Sequence, residues 1–432
     1  MDDFKGTGRR GLLLGMAAAG LLTACGGGLD RTKAQLRFVN ASLAYDALDL
    51  LFDGALRAGA TAYGQGAAYV EVDPEDNDGE VRRTGSDTAL VSFAPSLRTD
   101  AYFTVLAYGR EGALRTLLLD DNASEPDSGK TVLRVLNAAP DAGSLDVYLT
   151  GTDDTLAGTV PVQSGAAVGT VNGALTVNAG TRRLRVTAAG SKTDVRLDVS
   201  GVVLPSRGVL TLVLTPSVGG VLVSALLLAD RGGITRLDTT QARVRLAAAL
   251  PAGGAVGASV GGTTLATAAG APSVGLYALV AAGTVTPAVT VNGVAVPTPA
   301  VALAAGADHT LMVYGTVAAP VAVWLDDDNA LPADSTKAKL RLVHGVGDLA
   351  GALSLSVDFL PVADSVTPGT GSAYDGTVEA SSAAATLTVT TPGALVAVFS
   401  AVDQTIVANA VYTLFVVGAT AGPPVGILRR DR

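Results

Sequence analysis

Short apolar segments alternate with polar turns along most of the chain. Runs rich in Val, Thr and Leu are broken by Gly, Pro, Asn or Asp roughly every 8–12 residues. Residues 174–177, for example, precede a turn at 178–180, and residues 183–187 then alternate in polarity. No window shows a 3.6-residue apolar stripe bounded by helix caps. This pattern predicts an all-β, antiparallel chain.

A six-residue motif divides the chain into four units. It reads LRFVNA at 36–41, LRVLNA at 133–138, VRLAAA at 244–249 and LRLVHG at 340–345. Two units also close on an apolar strand that runs into acids, LLLDDN at 117–122 and VWLDDDN at 323–329. A period of roughly 100 residues is typical of one small β-sandwich per unit. We therefore predict tandem antiparallel, immunoglobulin-like β-sandwich repeats at 34–127, 128–238, 239–336 and 337–432.

The third unit differs most from the others, since residues 246–307 carry no charge. Its apolar runs are split by Gly, Pro and Thr, which favours a low-charge β unit packed against its neighbours over a membrane helix. Domains of 100 residues have a radius of gyration of about 13 Å, so four units in a row would extend on the order of 150 Å.

The N-terminus has the layout of a bacterial export signal. Lys5, Arg9 and Arg10 precede an apolar run at 11–23, which is shorter than a membrane-spanning helix. The sequence LTAC at 22–25, followed by three glycines, resembles a lipobox. We predict a signal peptide at 1–24, then a lipidated Cys25 and a linker at 25–33. The paired arginines leave general and twin-arginine export open, and a Gly after the cysteine favours the outer membrane, on its periplasmic or surface face.

Composition narrows the classes of function. Hydrophobic residues make up 48% and charged residues 16%, which indicates a folded chain rather than an acidic disordered one. The net charge of −9 argues against nucleic-acid binding through phosphate contacts. No Walker loop is evident, so we expect no nucleotide. The single cysteine is used by the anchor, and the mature chain must fold without a disulfide.

Acidic clusters are the candidate metal ligands. Five carboxylates lie within residues 73–80, and the two closing motifs supply Asp120, Asp121, Asp326, Asp327 and Asp328. Calcium takes six to eight oxygen ligands, and loops between tandem sandwiches are suited to supply them. Neither spacing is that of an EF-hand. Solvated turns that end edge strands are the alternative, and the sequence favours them. We expect no other cofactor.

Catalytic motifs are weak. The sequence GASVG at 257–261 matches a serine-hydrolase pattern, but no helix follows it. His309 and His344 lie in different units without zinc-ligand spacing, which favours ordinary strand-end histidines. Asp49 and Asp146 recur at equivalent positions, and this recurrence favours a structural part over a hydrolase site.

The opening motif, the LDVY strand at 145–148 and the closing acids resemble a bacterial envelope domain of unknown function, catalogued as family four-three-nine-seven. The resemblance covers 34–127 and 128–238 well and 337–432 in part, and the third unit departs most. It implies an architecture and an envelope location, and it brings no catalytic residue.

These observations predict a membrane-anchored lipoprotein with a non-catalytic binding or spacer role in the bacterial cell envelope. An envelope protein or a glycan is the expected partner. An accessory envelope-polymer hydrolase and a calcium-dependent adhesin are the alternatives.

Overall fold

All regular structure in the described part of the chain is β-strand. The structure is a computed structural model and describes residues 30–393 and 396–432. The predicted signal peptide and Cys25 lie outside these residues. The described residues contain no helix, and so none long and apolar enough to cross a membrane. The predicted all-β class and the tandem sandwich arrangement are confirmed.

The first two groups of strands lie within 34–120 and 130–237. The first group consists of β1 (Ala34–Asn40), β2 (Ala47–Phe52), β3 (Ala55–Ala62), β4 (Gln65–Gly66), β5 (Val70–Val72), β6 (Gly79–Arg83), β7 (Ala89–Phe93), β8 (Tyr102–Arg110) and β9 (Ala113–Asp120). The second consists of β10 (Lys130–Asn137), β11 (Leu145–Thr150), β12 (Gln163–Ala166), β13 (Leu175–Asn178), β14 (Gly180–Ala188), β15 (Val195–Leu204), β16 (Gly208–Pro216), β17 (Val223–Ala229) and β18 (Ile234–Leu237).

The other two groups lie within 241–327 and 337–430. The third consists of β19 (Gln241–Ala248), β20 (Ala255–Val260), β21 (Thr263–Gly270), β22 (Ser273–Val274), β23 (Ala278–Ala281), β24 (Gly283–Val285), β25 (Ala288–Val291), β26 (Val294–Val296), β27 (Val301–Leu303), β28 (Asp308–Gly315) and β29 (Pro320–Asp327). The fourth consists of β30 (Lys337–Val346), β31 (Leu353–Val357), β32 (Leu360–Val366), β33 (Asp375–Glu379), β34 (Ser381–Thr390), β35 (Ala397–Ile406), β36 (Val411–Gly418) and β37 (Val425–Arg430).

Each group forms two packed sheets, and we call the one that contains the opening strand the inner sheet. The inner sheets have the orders β4-β1-β8-β9, β13-β10-β16-β17-β18, β22-β19-β28-β29 and β33-β30-β36-β37, with β5 and β23 also pairing β1 and β19. The outer sheets have the orders β3-β2-β6-β7, β12-β11-β14-β15, β21-β20-β25-β26 and β32-β31-β34-β35. In the third unit, β24 and β27 pair with each other. A separate hydrophobic core fills the space between the sheets of each unit.

The outer sheets show the alternation that a half-buried strand requires. In β2, Leu48, Leu50 and Phe52 are buried while the residues between them are partly exposed. Successive side chains of a strand point to opposite faces, so β2 presents one apolar face to the core and turns the face that carries Asp49 towards solvent.

The inner sheets differ from the antiparallel prediction in one respect. The opening strand of every unit runs parallel to a later strand, in the pairs β1/β8, β10/β16, β19/β28 and β30/β36. The register is the same each time and places the arginine of the motif opposite a threonine. These pairs are Arg37 and Thr104, Arg134 and Thr211, Arg245 and Thr310, and Arg341 and Thr413.

The opening strands do not alternate in polarity because both of their faces are buried. In β1, Leu36 and Phe38 belong to the unit's own core. Arg37 and Val39 point to the opposite face, where Val39 packs in a cluster shared with Leu136 and other residues of the second unit. An equivalent cluster joins the third and fourth units. The units therefore pack in pairs, inner sheet against inner sheet, and a fully extended string of four is not what the structure shows.

The two pairs meet at a close backbone contact. Gly219 of the second unit donates its N–H to the carbonyl of Gly306 in the third, at 2.9 Å. At the neighbouring Gly220, which has a φ of +76°, a Cβ atom would lie 2.5 Å from the backbone nitrogen of Ala330. This contact requires glycine, because any side chain would separate the two backbones.

Candidate functional site

A buried ion cluster joins the third and fourth units. Arg245 of the third unit contacts the carboxylate of Asp431 in the fourth, and Arg341 of the fourth contacts Asp327 of the third. All four side chains are at most 3% exposed. Each unit therefore neutralises the buried guanidinium of the other, and we call these four residues the 3–4 ion cluster.

Hydroxyl groups satisfy the remaining carboxylate oxygens. Thr310 and Tyr277 each donate to Oδ2 of Asp327 at 2.6 Å. Thr413 donates to Asp431 at 2.6 Å. A buried charge is tolerated when its hydrogen-bonding positions are filled in this way. The threonines are the residues that the parallel register places opposite the arginines.

Electrostatics keep Asp327 ionised. Burial alone would raise the pKa of Asp327, but the guanidiniums of Arg341 and Arg245 more than offset burial and hold the pKa below its ordinary value. Burial raises the pKa of Tyr277 well above its ordinary value, so its hydroxyl keeps the proton that it donates. The Arg245 guanidinium also lies 4.5 Å from the centre of the Tyr277 ring, a cation–π distance.

The first and second units share a related cluster, the 1–2 ion cluster of Arg37, Asp121, Arg134 and Asp230. Arg134 Nη2 lies 2.6 Å from Asp230 within its own unit and 3.8 Å from Asp121 of the first unit. Arg37 Nη2 lies 3.7 Å from Asp121, and its Nη1 donates to the carbonyl of Gly232 in the second unit at 2.7 Å. Here too the arginines cross from one unit to the other.

Asp230 is the least compensated carboxyl of the two clusters. Its side chain is 8% exposed, and Oδ2 has no hydrogen-bond partner among the described residues. Burial raises the pKa of Asp230 to about 6, and the nearby Arg134 offsets this only in part.

Two of the predicted calcium ligands belong to these clusters. Asp121 and Asp327 are buried and accept hydrogen bonds from tyrosine and threonine hydroxyls. They are neither solvated turn residues nor open ligands, because their oxygens face arginines inside the fold. Among the residues that the structure describes, no group of three or more His, Cys, Asp or Glu side chains is placed to hold a metal ion.

The other three predicted ligands lie at the surface in separate contacts. Asp120 pairs with Arg98 at 2.9 Å. Asp326 accepts from His309 Nδ1 at 2.9 Å, and Asp328 pairs with Lys339 at 2.6 Å. Each of these carboxylates thus lies beside a different basic side chain, and the calcium prediction stays a prediction.

The residues of the weak catalytic motifs lie in strands or bond to the backbone. Ser259 lies inside β20, paired with Thr264 and Ala288, and not on a strand-to-helix turn. Asp146 accepts backbone N–H groups from Gly165 at 2.8 Å and Gly190 at 2.9 Å.

The other two residues singled out in the sequence also bond to backbone groups. Asp49 accepts the N–H of Ala60 at 2.7 Å. His344 is buried in β30, with Nε2 3.0 Å from the carbonyl of Gly351. Each aspartate accepts from a positive-φ residue inside the neighbouring strand of its outer sheet, Ala60 in β3 and Gly165 in β12.

A cavity of about 780 Å³ opens beside the 3–4 ion cluster, where three units meet. The second unit contributes Val218 and Gly219, the third contributes the strand ends around His309 and Asp326, and the fourth contributes the segment around Ser372. The Ser372 hydroxyl donates to the carbonyl of Ala373 at 2.7 Å, so its proton is not directed at an imidazole. The cavity lining is mostly apolar with charged side chains among it, and its serine, Ser372, is not activated as a nucleophile. Sequence reasoning missed this cavity because its walls come from distant segments.

Comparison with family models identifies one match. The model described as "Domain of unknown function (DUF4397)" matches residues 34–148 and 242–356. The family expected from the motifs is thereby confirmed. The second match begins in the third unit, so the expectation that this unit departs most from the family was wrong.

Other comparisons add little. No curated protein matches the chain. Among solved structures, the Bacillus anthracis TIE protein is similar at 10% identity and a TM-score of 0.15, over 88% of this chain and 66% of that one. This chain thus spans less than two thirds of that protein's length, and so low a TM-score supports no conclusion.

Removing a guanidinium from the 3–4 ion cluster should be severely destabilising. Arg245→Met leaves Asp327 and Asp431 buried with one arginine between them, and losing one partner of a buried pair costs about 3–5 kcal/mol. The matched control is Arg83→Met, which removes an exposed arginine 3.1 Å from Glu111 and should cost less than about 1 kcal/mol. Urea unfolding of both variants measures the difference. Equal costs would show that the buried pairs do not stabilise the fold.

The raised pKa of Asp230 predicts a pH dependence of stability. A carboxyl with a higher pKa folded than unfolded binds more protons when folded, so this group's contribution falls as pH rises from about 4 to 6 and is constant above. Asp230→Asn cannot titrate. The free energy of unfolding of the variant minus that of the wild type should therefore increase over this interval in urea titrations. A difference that stays level from pH 4 to 7 would contradict the assignment.

Proposed function

Since this chain belongs to the DUF4397 family of domains of unknown function, we propose that it is a lipid-anchored bacterial envelope protein with a non-catalytic binding and structural role. The lipid is attached at Cys25, and the four sandwiches lie beyond it, with the outer membrane as the favoured location.

The use of the repeated polar residues is the observation that carries this proposal. The arginine of each opening motif lies between inner sheets, opposite a threonine. The recurring Asp49 and Asp146 accept backbone N–H groups from the neighbouring strands of their outer sheets, β3 and β12. Residues that recur from unit to unit thus build and join the sandwiches, which supports a scaffold in preference to a repeated active site.

Pairing of the units supports a stiff scaffold. Inner sheets that share apolar and ionic contacts cannot rotate independently. Rotation would separate the buried arginines from their carboxylates and leave unpaired charges between the sheets. A stiff body of this kind can present loops and cavities at a fixed distance from a membrane. Envelope proteins and glycans are the partners within its reach.

The anchor is supported by the sequence around Cys25. It is the single cysteine of the chain, it follows LTA, and three glycines follow it. A diacylglyceryl thioether with a further acyl chain gives stable membrane attachment, where one chain gives only marginal binding.

Metabolic labelling with an alkyne fatty acid tests the proposal. Wild-type protein should carry the label and sediment with membranes. Cys25→Ala should lose the label, and its membrane-bound fraction should fall by at least about tenfold, since the acyl chains supply the membrane affinity. Asp120→Asn, a surface change far from the anchor in sequence, is the matched control and should keep both properties. Membrane attachment that persists without label in Cys25→Ala would contradict a lipid anchor.

A further inference from the structure

The cavity between the second, third and fourth units contains an imidazole whose hydrogen bonds are incomplete. The side chain of His309 is 7% exposed, and its Nδ1 lies 2.9 Å from Oδ1 of Asp326. Because a carboxylate only accepts, Nδ1 donates and a neutral ring leaves Nε2 as an acceptor. Nε2 has no hydrogen-bond partner among the described residues.

The carboxylate beside it is also open. The Asp326 side chain is 92% exposed, and within the described part of the chain His309 is the one basic group within 4 Å of it. A buried acceptor and an exposed carboxylate together favour a ligand that is cationic and rich in N–H donors.

The first unit shows how the same place is filled when the chain supplies the cation itself. Phe103 and Asp120 are cross-strand partners there, as His309 and Asp326 are in the third unit. Arg98 places its guanidinium 5.3 Å from the centre of the Phe103 ring and 2.9 Å from the Asp120 carboxylate. In the first unit, the arginine thus contacts both the ring and the carboxylate.

The third unit lacks that arginine. Residues 96–109 and 302–315 align without a gap, which places Ala304 where the first unit has Arg98. The backbones agree nearby, since Asp100 and Gly306 both have positive φ and donate to equivalent carbonyls, of Lys33 and Gln241. Ala304 lines the cavity together with Asp326 and His309.

The ring position itself is also changed. Its counterparts in the first, second and fourth units are Phe103, Leu210 and Tyr412, as the parallel registers show. The third unit alone among these has an imidazole there, and so a hydrogen-bond acceptor at a position where the other units carry an apolar or phenolic side chain.

We propose that this cavity binds an alkylguanidinium, the side chain of an arginine, in the place that Arg98 fills in the first unit. Asp326 pairs with the guanidinium, His309 accepts one of its N–H groups, and Val218, Ala302 and Ala304 border the alkyl stem. The volume of about 780 Å³ exceeds that of one guanidinium and suits an arginine within a peptide. The inference deepens the proposed binding role and does not depend on the lipid anchor.

Fluorescence of Trp324 gives a direct readout. It is the single tryptophan of the chain, and its ring packs edge-to-face with His309 at 6.3 Å. The detergent-purified full chain is titrated with free L-arginine, with Gly-Arg-Gly and with Gly-citrulline-Gly, and calorimetry repeats each titration. A saturable response to both arginine probes is expected. The uncharged citrulline peptide should bind at least about tenfold more weakly than Gly-Arg-Gly. Tighter binding of Gly-Arg-Gly identifies a peptide as the source, and equal binding identifies the free amino acid.

Variants decide whether the site is the one described. Ala304→Arg supplies the cation from the chain itself, as in the first unit, and should weaken binding at least about tenfold with an unchanged urea midpoint. Asp326→Asn should weaken binding as much. The matched control Asp120→Asn changes the equivalent acid of the first unit and should bind as the wild type does.

Two results would overturn the proposal. One is a wild-type chain that gives no saturable signal by fluorescence or calorimetry up to about 10 mM of either arginine probe. The other is an Ala304→Arg variant that binds as tightly as the wild type. Either result leaves labelling at Cys25 unaffected, so failure here is distinguishable from failure of the envelope proposal.

Discussion

A guanidinium on the face of a β-sheet cannot be covered by another sheet unless carboxylates come with it. Each opening strand of this protein carries the arginine of its motif on the face that does not contribute to its own core. In the 3–4 ion cluster the required carboxylates come from the other unit, since Arg245 contacts Asp431 and Arg341 contacts Asp327. Isolated burial of any of these charges would cost several kcal/mol. The inner sheets therefore depend on each other, and the pairing of units follows from this constraint.

Apolar contacts determine how closely the sheets approach. The shared cluster of the first pair includes Val39 and Leu106 from one unit and Leu136 and Val213 from the other. The ionic residues lie beside this cluster, so their surroundings exclude water and strengthen every charge–charge contact. The two kinds of contact are complementary, because the apolar area favours association and the charges determine which faces can associate.

Much of the fold was predictable from the sequence, because turn residues and alternating strands identify sandwiches and a motif recurs four times. The pairing of units was not predicted, although it left a signal. Arg37 is the one charged residue of β1, and Asp121 follows a strand that ends in three leucines and an aspartate. An arginine and an acid at fixed places in every unit are what a buried pair requires. Reading Asp121 and Asp327 as turn residues or calcium ligands overlooked the arginines, which lie far from them in sequence and meet them only across the inner sheets.

The cavity was beyond sequence reasoning for a different reason. Its candidate residues become meaningful only when the third unit is compared with the first at equivalent backbone positions. Ala304 is unremarkable in a chain rich in alanine, and its significance lies in the arginine that Arg98 supplies elsewhere. Repeats that share one architecture thus provide internal controls for one another. A residue missing from one copy indicates where an outside group can enter.

We infer that the cooperative unit of this protein is a pair of sandwiches joined by buried charges. Native-state hydrogen exchange of the full chain in increasing urea, read by mass spectrometry, tests it most directly. Peptides from the first unit (β1 and β8) should lose protection in the same step as peptides from the second unit (β10 and β16). Peptides from the third unit (β19 and β28) should likewise lose protection together with peptides from the fourth unit (β30 and β36). Four separate steps, one for each sandwich, would contradict the claim.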